Sequence, residues 1–376
     1  MKFLFNATTN LDGGGAKNSA LFLRFAATSN IHDWHFAVSP QVAEVAKSWD
    51  VPPSRITVFE TSPARSIRSR NKLLSLQHSL EIDLVYTMAG PAYTRFSCMH
   101  VMGISNPYIS HVDAHTFLST RSALKWPVDL MRTIYQSYYA TVANRLVFQT
   151  HTARDNFCRR LKYPIQDTVV IPNAFDSQSF SHVASPSLGN PARVLVPAVA
   201  YPHKLLDQVP LIAAAYHDLP DARPAEFVLT LDQESAEWAS ILKRAKQLNV
   251  SALVKTIGRY NYADAGRVFA QSDLVLSLSV LETFSATPLE AFASGRPFIC
   301  ADRPWSKEIS REAAVYVEPR NPDSVARAVS GLIHDEKLRA KLTDRGREIL
   351  NTYDDQSARF SRITDMLEQE ARHHAL

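Results

Sequence analysis

Several features are missing from this chain of 376 residues, and their absence excludes whole classes of protein. No run of about 18 apolar residues occurs, so a transmembrane helix is not expected. The start of the chain turns polar too early for a signal peptide. Only three cysteines occur, far apart and without a C-x-x-C pair, at Cys98, Cys158 and Cys300. We therefore expect buried, reduced thiols in a cytoplasmic protein.

Motifs for metal and nucleic acid are also missing. The sequence has no zinc-finger spacing, no RNA-binding signature and no interleaving of basic and aromatic residues, so a nucleic-acid partner is not expected. Three small groups contain histidine, but none has a convincing set of further ligands: His32 with Asp33, His111 with Asp113, and the terminal His373–His374. No D-x-D motif follows a strand in a suitable context. We expect no metal and no cofactor.

The net charge of +4 is unevenly distributed along the chain. Residues 1–185 hold 18 Lys and Arg against 12 Asp and Glu, a balance of +6, and the remainder holds 23 against 25, a balance of −2. Part of the excess lies in Arg65, Arg68, Arg70 and Lys72. A solvated helix face is the favoured interpretation of this cluster. A surface for anionic lipid or an acidic acceptor is the alternative.

Short apolar runs alternate with helical patterns along most of the chain. This alternation predicts an α/β fold with parallel sheets covered on both faces. A loop rich in Ser, Pro and Asn at Ser185–Pro191 is the best linker candidate, and the alternation restarts after it. We predict a Rossmann-like domain at 1–187, a second at 188–353 with a cleft between the two, and a final helix at 354–376 that packs back on the first domain.

Two stretches carry the candidate chemistry. Gly13–Gly15 follows a predicted strand and precedes a predicted helix, where glycines allow a close approach to an anion, although a plain tight turn is equally compatible. The stronger stretch, Ser277–Asp302, has Glu282 after a predicted strand and Glu290 in the first turns of a helix. Carboxylates accept hydrogen bonds from sugar hydroxyls, and N–H groups at a helix start suit a diphosphate. Two exposed acids around a helix cap are the simpler alternative.

Four stretches together resemble the retaining glycosyltransferases of family 4, which have the two-domain GT-B fold. Glu282 and Glu290 form an E-x7-E pattern, and Leu289–Pro297 resembles the family's "LEAMACGTPV". Val170–Asp176 resembles "IPNGVD", Tyr201–Lys204 the phosphate-binding lysine segment, and Asp273–Ser279 "ADVFVLPS". The match covers most of 145–350. The first 145 residues resemble the family in layout alone.

The resemblance implies a role for each matching residue. Glu290 would hold the ribose, Glu282 the donor sugar and Lys204 the diphosphate. His111 is implied as a contact to the donor sugar, with a structural histidine or His115 as alternatives. The remaining implied donor-binding residues are Phe284, Ser285, Ala286, Thr287, Arg259, Tyr260, His203, Gly14 and Gly15.

One position departs from the family pattern. Many members carry an arginine four or five residues before the lysine, where this chain has Val199 and Ala200. A second cation would have to come from His203, from Arg259 or from the positive helix end near Ser285. The departure keeps a catalytically inactive relative under consideration.

The resemblance therefore implies a metal-independent, retaining glycosyltransferase of bacterial envelope polysaccharide or lipopolysaccharide synthesis. The donor would be a nucleoside-diphosphate sugar and the acceptor a glycan or lipid-linked sugar. Alternatives are an inactive sugar-binding or partner subunit and a nucleotide-sugar epimerase. We expect a cytoplasmic location, with contact to the inner, anionic face of the membrane left open. The aromatic and basic segment Phe117–Tyr139 favours a core helix over one that lies on a membrane.

Overall fold

A computed structural model of the chain describes residues 1–11, 13–29, 32–47, 51–121, 123–175, 180, 188–197 and 199–374. Residues 185–187 of the predicted linker lie outside this set. The described chain contains thirteen strands, which are β1 Lys2–Ala7, β2 Asp33–Val38, β3 Ile56–Val58, β4 Leu84–Thr87, β5 Met99–Gly103, β6 Arg145–Phe148, β7 Thr168–Val170, β8 Ala192–Val196, β9 Ala225–Leu229, β10 Val254–Thr256, β11 Leu274–Ser277, β12 Phe298–Ala301 and β13 Ala314–Val317.

Helices separate most of these strands, as the alternating pattern predicts. The α-helices among the described residues are α1 Gly13–Ser29, α2 Pro40–Ala46, α3 Ile67–Ser79, α4 Pro107–Ser110, α5 Ala114–Ser119, α6 Trp126–Ala140, α7 His151–Leu161, α8 Val209–His217, α9 Ala236–Gln247, α10 Ala265–Ala270, α11 Thr287–Ala293, α12 Pro304–Ser310, α13 Pro322–His334, α14 Glu336–Leu350 and α15 Gln356–His374. In the described part of the chain, no helix combines the length and hydropathy needed to cross a membrane.

The strands form two wholly parallel sheets. The first has the order β3-β2-β1-β4-β5-β6-β7 and the second the order β10-β9-β8-β11-β12-β13. Their central strands are buried on both faces, as in Leu84–Thr87 and Phe298–Ala301, because helices cover both sides of a parallel sheet. Two parallel sheets covered by helices are the α/β architecture predicted from the sequence, and that prediction is confirmed.

The chain divides into two compact units that differ from the predicted domain ranges. The first unit comprises 1–113, 122–173 and 356–376, and the second comprises 114–121 and 174–355. Phe175 and Phe180 pack in the core of the second unit, and the Phe175 N–H donates to the carbonyl of Asp354 at 3.2 Å. Because these aromatic anchors precede the predicted linker, the structure places the change of unit near residue 174 and not near 187.

Helix α15 belongs to the first unit. Its buried side chains Phe360, Ile363 and Leu367 join the core that contains β1 and α1, and the Phe360 ring lies 5.3 Å from the ring of Phe22. This apolar face, repeating every three to four residues, explains why the last segment folds onto the first sheet.

Helix α6 contradicts the expectation of a core helix across Phe117–Tyr139. The segment is interrupted near Pro127, which occupies the first turn of α6, and Phe117 lies on the separate helix α5. Moreover, the buried positions of α6 are Asp129, Thr133, Ser137 and Ala140, and most of its large apolar side chains are exposed. The helix therefore has the reverse of the usual amphipathic arrangement.

The three cysteines are free thiols. Cys158 and Cys300 are buried as expected, whereas Cys98 is half-buried. Burial raises the pKa of Cys300 to about 12 and that of Cys98 to about 11, so both side chains are protonated at neutral pH.

Candidate functional site

The second sheet reverses its winding between β8 and β11. Strands β9 and β10 extend the sheet on one side of this pair, and β12 and β13 extend it on the other. The connections that follow β8 and β11 therefore lead to opposite sides of the sheet, an arrangement that in open parallel sheets places ligands at the carboxyl ends of the strands. Lys204 lies after β8 and Glu282 after β11, so the topology brings together two residues that are 78 positions apart.

Lys204 and Glu282 form an ion pair at this point of the sheet. The side chains are only 18% and 14% exposed, and the Ser279 hydroxyl donates a second hydrogen bond to the same Glu282 oxygen at 2.8 Å. The Val280 N–H also donates to the His203 carbonyl at 2.9 Å, which ties the two loops together. The ammonium group is therefore fixed in position and largely shielded from water.

Local backbone structure explains how Lys204 reaches the sheet edge. Residues Pro202–Lys204 form a 3₁₀ turn, and Leu205 follows it in the left-handed region with φ of +49°. The Leu205 side chain is 3% exposed and packs in the core of the second unit. Burial of this leucine offsets the conformational strain and holds the preceding lysine in place.

His203 is neutral at physiological pH. Burial lowers its pKa to about 4, against the opposing effect of Glu282, and the nearby charges of Lys204 and Arg121 lower it further. The Tyr201 ring stacks on the imidazole at a centroid distance of 5.6 Å. His203 therefore lacks the charge of a second cation, although an imidazole can still exchange hydrogen bonds with a ligand.

Glu290 and residues 284–287 lie at the start of α11. Glu290 is half-buried in the first turn, and its N–H donates to the carbonyl of Ala286 at 3.0 Å. Ala286 is the exposed N-cap residue and has no side-chain oxygen to cap the helix. Ser285 is buried, Thr287 is half-buried, and the Phe284 ring packs against Tyr353 at 5.9 Å. The first N–H groups of a helix have no intrahelical acceptor, so this start suits an anion.

Arg259 and Tyr260 lie in the loop that follows β10. Gly258 opens the loop with φ of +78°, a conformation that favours glycine, and its N–H donates to the Thr256 hydroxyl at 3.3 Å. Arg259 is exposed, and Tyr260 is half-buried against the core of the second unit. Both residues are placed by a loop at the same edge of the sheet as Lys204, since all strands run in parallel.

The other predicted site residues, Gly14, Gly15 and His111, belong to the first unit. The glycines are not in a loop before the helix, because α1 begins at Gly13 and includes all three of them. Asn10 is buried in the loop after β1, and its amide donates to the Ser19 hydroxyl at 2.6 Å. His111 is the C-cap of α4, where its Nδ1 lies 2.8 Å from the Ser110 hydroxyl.

Arg121 is a candidate that the sequence alone did not reveal. It ends the short segment 114–121 that groups with the second unit, and its charge contributes to the lowered pKa of His203. Its guanidinium lies 5.8 Å from the centre of the Phe117 ring. An arginine 83 positions before Lys204 in the chain gives no local signal, because only the tertiary fold places it near the site.

Within the part of the chain that the structure describes, no group of three or more His, Cys, Asp or Glu side chains is arranged to hold an ion. Metal independence stays a prediction from the sequence.

The match to a known protein family covers most of the residues of the candidate site in the second unit. The family described as "Glycosyl transferases group 1" matches residues 184–349, a range that includes Lys204, Glu282 and Glu290. The matched range falls within the second unit, which is therefore similar to the group 1 glycosyltransferases. An uncharacterized glycosyltransferase of Methanocaldococcus jannaschii is 29% identical over 104 residues, which cover 27% of this chain and 27% of that protein. The chain thus matches only about a quarter of the length of this relative.

Solved structures resemble the chain over nearly its whole length. HepE of Anabaena in complex with UDP-glucose superposes with a TM-score of 0.73 and 17% identity, covering 98% of this chain and 100% of that one. A glycosyltransferase of Rickettsia africae and a sucrose-phosphate synthase of Thermosynechococcus elongatus both give a TM-score of 0.72, with 12% and 15% identity and 98% of each chain covered. At these identities the likeness establishes the GT-B type of fold, as the sequence predicts.

Proposed function

We propose that this protein transfers a sugar from a nucleoside-diphosphate sugar to a glycan or lipid-linked acceptor. The Lys204–Glu282 pair at the reversal point of the second sheet carries the proposal. A cation and a carboxylate side by side can bind the two halves of such a donor, the anionic diphosphate and the hydroxyl-rich sugar. The group 1 match and the UDP-glucose complex of HepE support the same donor class.

Donor binding would use both sides of the reversal point. Lys204 binds the diphosphate, and the N–H groups of residues 285–287 at the start of α11 bind its oxygens. Glu290 accepts hydrogen bonds from the ribose hydroxyls, and Glu282 turns from Lys204 toward the sugar hydroxyls. Arg259 and Tyr260 contact the base.

Arg121 takes the role of the second cation. His203 is neutral at pH 7, and residues 199 and 200 are Val and Ala, so none of these can supply the charge. Arg121 is close enough to His203 to lower its pKa and belongs to the same unit. An arginine fork is well suited to two diphosphate oxygens.

The reaction follows from this charge arrangement. The bond between the anomeric carbon and the diphosphate oxygen breaks, and the charge that develops on the leaving diphosphate is stabilised by Lys204, Arg121 and the start of α11. The acceptor hydroxyl then forms its bond to the anomeric carbon from the face that the diphosphate leaves. Its proton passes to a phosphate oxygen, so no protein general base is required. Configuration is retained, and no metal is needed because protein cations stabilise the diphosphate.

The acceptor is assigned to the more basic first unit, where His111 would contact the transferred sugar. A role in bacterial envelope polysaccharide or lipopolysaccharide synthesis fits an acceptor that is a glycan or a lipid-linked sugar. The missing arginine at 199–200 was the feature that favoured an inactive subunit, and Arg121 supplies a substitute for it.

Thermal unfolding with UDP, GDP, ADP and dTDP tests the proposal directly. A nucleoside diphosphate at one hundred times its dissociation constant stabilises the folded state by about 2.7 kcal/mol. We expect one of the four nucleoside diphosphates to raise the thermal midpoint of unfolding by several degrees without added metal. A sugar donor that carries the same nucleotide should release this diphosphate when an acceptor is added. No shift with any of the four would refute the donor assignment. A shift without transfer would support the inactive subunit.

A further inference from the structure

Helix α6 presents a large apolar surface to solvent in the first unit. We name this surface the apolar face of α6 and define it by Val128, Leu130, Met131, Ile134, Tyr135 and Tyr138, which are all exposed. At 3.6 residues per turn these positions occupy an arc of about 160°. Leu124, in the turn before the helix, is 93% exposed and extends the same stripe. Such a contiguous patch is unusual on a monomer surface and indicates an interaction site.

The opposite side of α6 explains why this surface faces outward. Asp129, Thr133 and Ser137 are buried, and the Thr133 hydroxyl donates to the Asp129 carbonyl at 2.9 Å. Asp129 also pairs with Arg132 at 3.3 Å. If the helix turned to bury its apolar side, these polar groups would lose their packing and their present contacts. The apolar face is therefore a stable feature of the first unit.

Cations lie beside the apolar face of α6, and the one acidic residue of this helix is buried. Lys125 and Arg132 are exposed beside it, and Asp129 is the only acidic residue of α6. Helix α3 contributes a second group of cations, Arg68 and Arg70, just after the exposed Arg65. Residues 61–80 contain no Asp or Glu.

Arg70 joins the two helices into one surface. Its guanidinium donates to the hydroxyls of Tyr135 and Tyr139 and lies 5.4 Å from the centre of the Tyr139 ring. Ile67, between Arg65 and Arg68, is 73% exposed and adds an apolar side chain to the cationic side. The apolar face and the cations of α3 thus form a continuous surface within the first unit.

We propose that this surface docks on an anionic membrane, with α6 lying in the plane of the interface. The apolar face would enter the boundary of the acyl chains, and Lys125, Arg132, Arg65 and Arg68 would contact acidic headgroups. A second copy of the chain fits less well, because a symmetric contact through this face would set one cationic flank against another. The inference does not depend on glycosyl transfer.

Vesicle sedimentation of the full chain tests the proposal without any nucleotide-sugar. We expect binding to phosphatidylcholine vesicles that contain about 30 mol% phosphatidylglycerol, and at least about tenfold weaker binding to pure phosphatidylcholine. Raising the salt from about 0.05 M to about 0.5 M should weaken the binding, since it screens exposed charges. The variant Met131→Ser with Ile134→Ser should lower the partition coefficient by about tenfold or more.

Matched controls separate docking from general effects on the fold. Ile134 and Ile165 are each 53% exposed, and Ile165→Ser lies outside the apolar face, so it should leave binding unchanged. Arg65→Gln with Arg68→Gln should weaken binding to acidic vesicles, whereas Lys243→Gln with Lys246→Gln removes two exposed cations of the second unit without this loss. Circular dichroism would show that each variant is folded.

Three outcomes would overturn the proposal. The first is equal binding to neutral and acidic vesicles, and the second is equal loss in the Ile165→Ser control. The third is a dimer in sedimentation velocity that Met131→Ser with Ile134→Ser dissociates while vesicle binding is absent. This last result would assign the apolar face to a second copy of the chain.

Discussion

The ion pair between Lys204 and Glu282 yields a prediction about donor binding that separates the roles of the two residues. Glu282 neutralises Lys204, and both side chains are mostly buried. A nucleoside diphosphate must compete with this carboxylate for the ammonium group. Lys204→Met should therefore weaken nucleoside-diphosphate binding by tenfold or more, about 1.4 kcal/mol or above. Glu282→Gln should leave that binding unchanged or strengthen it, yet reduce sugar transfer.

The stability of the same variants gives an independent magnitude. Breaking a fully buried pair costs about 3–5 kcal/mol, and an exposed pair contributes about 0–1 kcal/mol. With 18% and 14% exposure, and with Ser279 still donating to Glu282, we expect about 1–3 kcal/mol for Lys204→Met after allowing for residual solvent screening. The double variant Lys204→Met with Glu282→Gln should cost less than the sum of the single changes.

The assay is a double-mutant cycle by chemical unfolding, combined with calorimetric titration of the nucleoside diphosphate. Lys243→Met is the matched control, because Lys243 is an exposed lysine of the same unit, and neither measurement should change. Additive unfolding energies would show that the pair is not coupled. Weaker diphosphate binding in Glu282→Gln, equal to that in Lys204→Met, would refute the division of roles between the two residues.

Three further predictions concern other residues. Glu290→Ala should weaken nucleoside-diphosphate binding about 10- to 100-fold in a calorimetric titration, because a ribose contact is lost. Glu237→Ala, on the exposed side of α9, is the control and should leave this binding unchanged. Deoxyribose and ribose nucleotides should bind equally to the Glu290→Ala variant. Arg121→Gln should weaken diphosphate binding and reduce transfer about tenfold or more, with partial rescue in Arg121→Lys, and equal activity in all three proteins would contradict its role as second cation. Burial lowers the pKa of His100 to about 3, so the unfolded protein takes up a proton at this residue first, and stability falls as the pH drops from 6.5 towards 3. The dependence of the unfolding free energy on pH, at most about 1.4 kcal/mol per pH unit from this group, should become weaker in His100→Gln. Equal slopes in the two proteins would show that His100 does not cause the effect.

Many of the strands could be predicted from the sequence, because a strand of a parallel sheet is a short apolar run that stands out locally. The apolar run Met99–Gly103 matches β5 residue for residue, and Ala314–Val317 matches β13. Strands buried on both faces are short and almost wholly apolar, so each stands out between polar turns. Element boundaries were less secure, as at Gly13–Gly15, where three glycines suggest a turn although they begin α1.

The candidate site was predictable where the residues lie in one stretch of sequence. Glu282 and Glu290 are eight positions apart around a strand-to-helix turn, so the local sequence is enough to predict that they lie near each other. The contact of Lys204 with Glu282 depends on β8 and β11 being neighbours, which the order of the sheet decides. The charge state of His203 depends on burial, and no sequence pattern indicates that burial.

Arg121 and α6 are the two features for which the structure differs most from the sequence-based expectation, because both depend on tertiary contacts and not on a local sequence pattern. A periodic segment with aromatic and apolar residues satisfies the pattern of a core helix, but the pattern does not say which side faces the core. In α6 the polar residues Asp129, Thr133 and Ser137 are buried in the first unit, whereas most of the large apolar side chains are exposed. Arg121 ends the segment that leaves the first unit just before α6, and it joins the second unit. One stretch, 114–140, thus supplies a proposed donor cation at its start and a proposed membrane surface at its end.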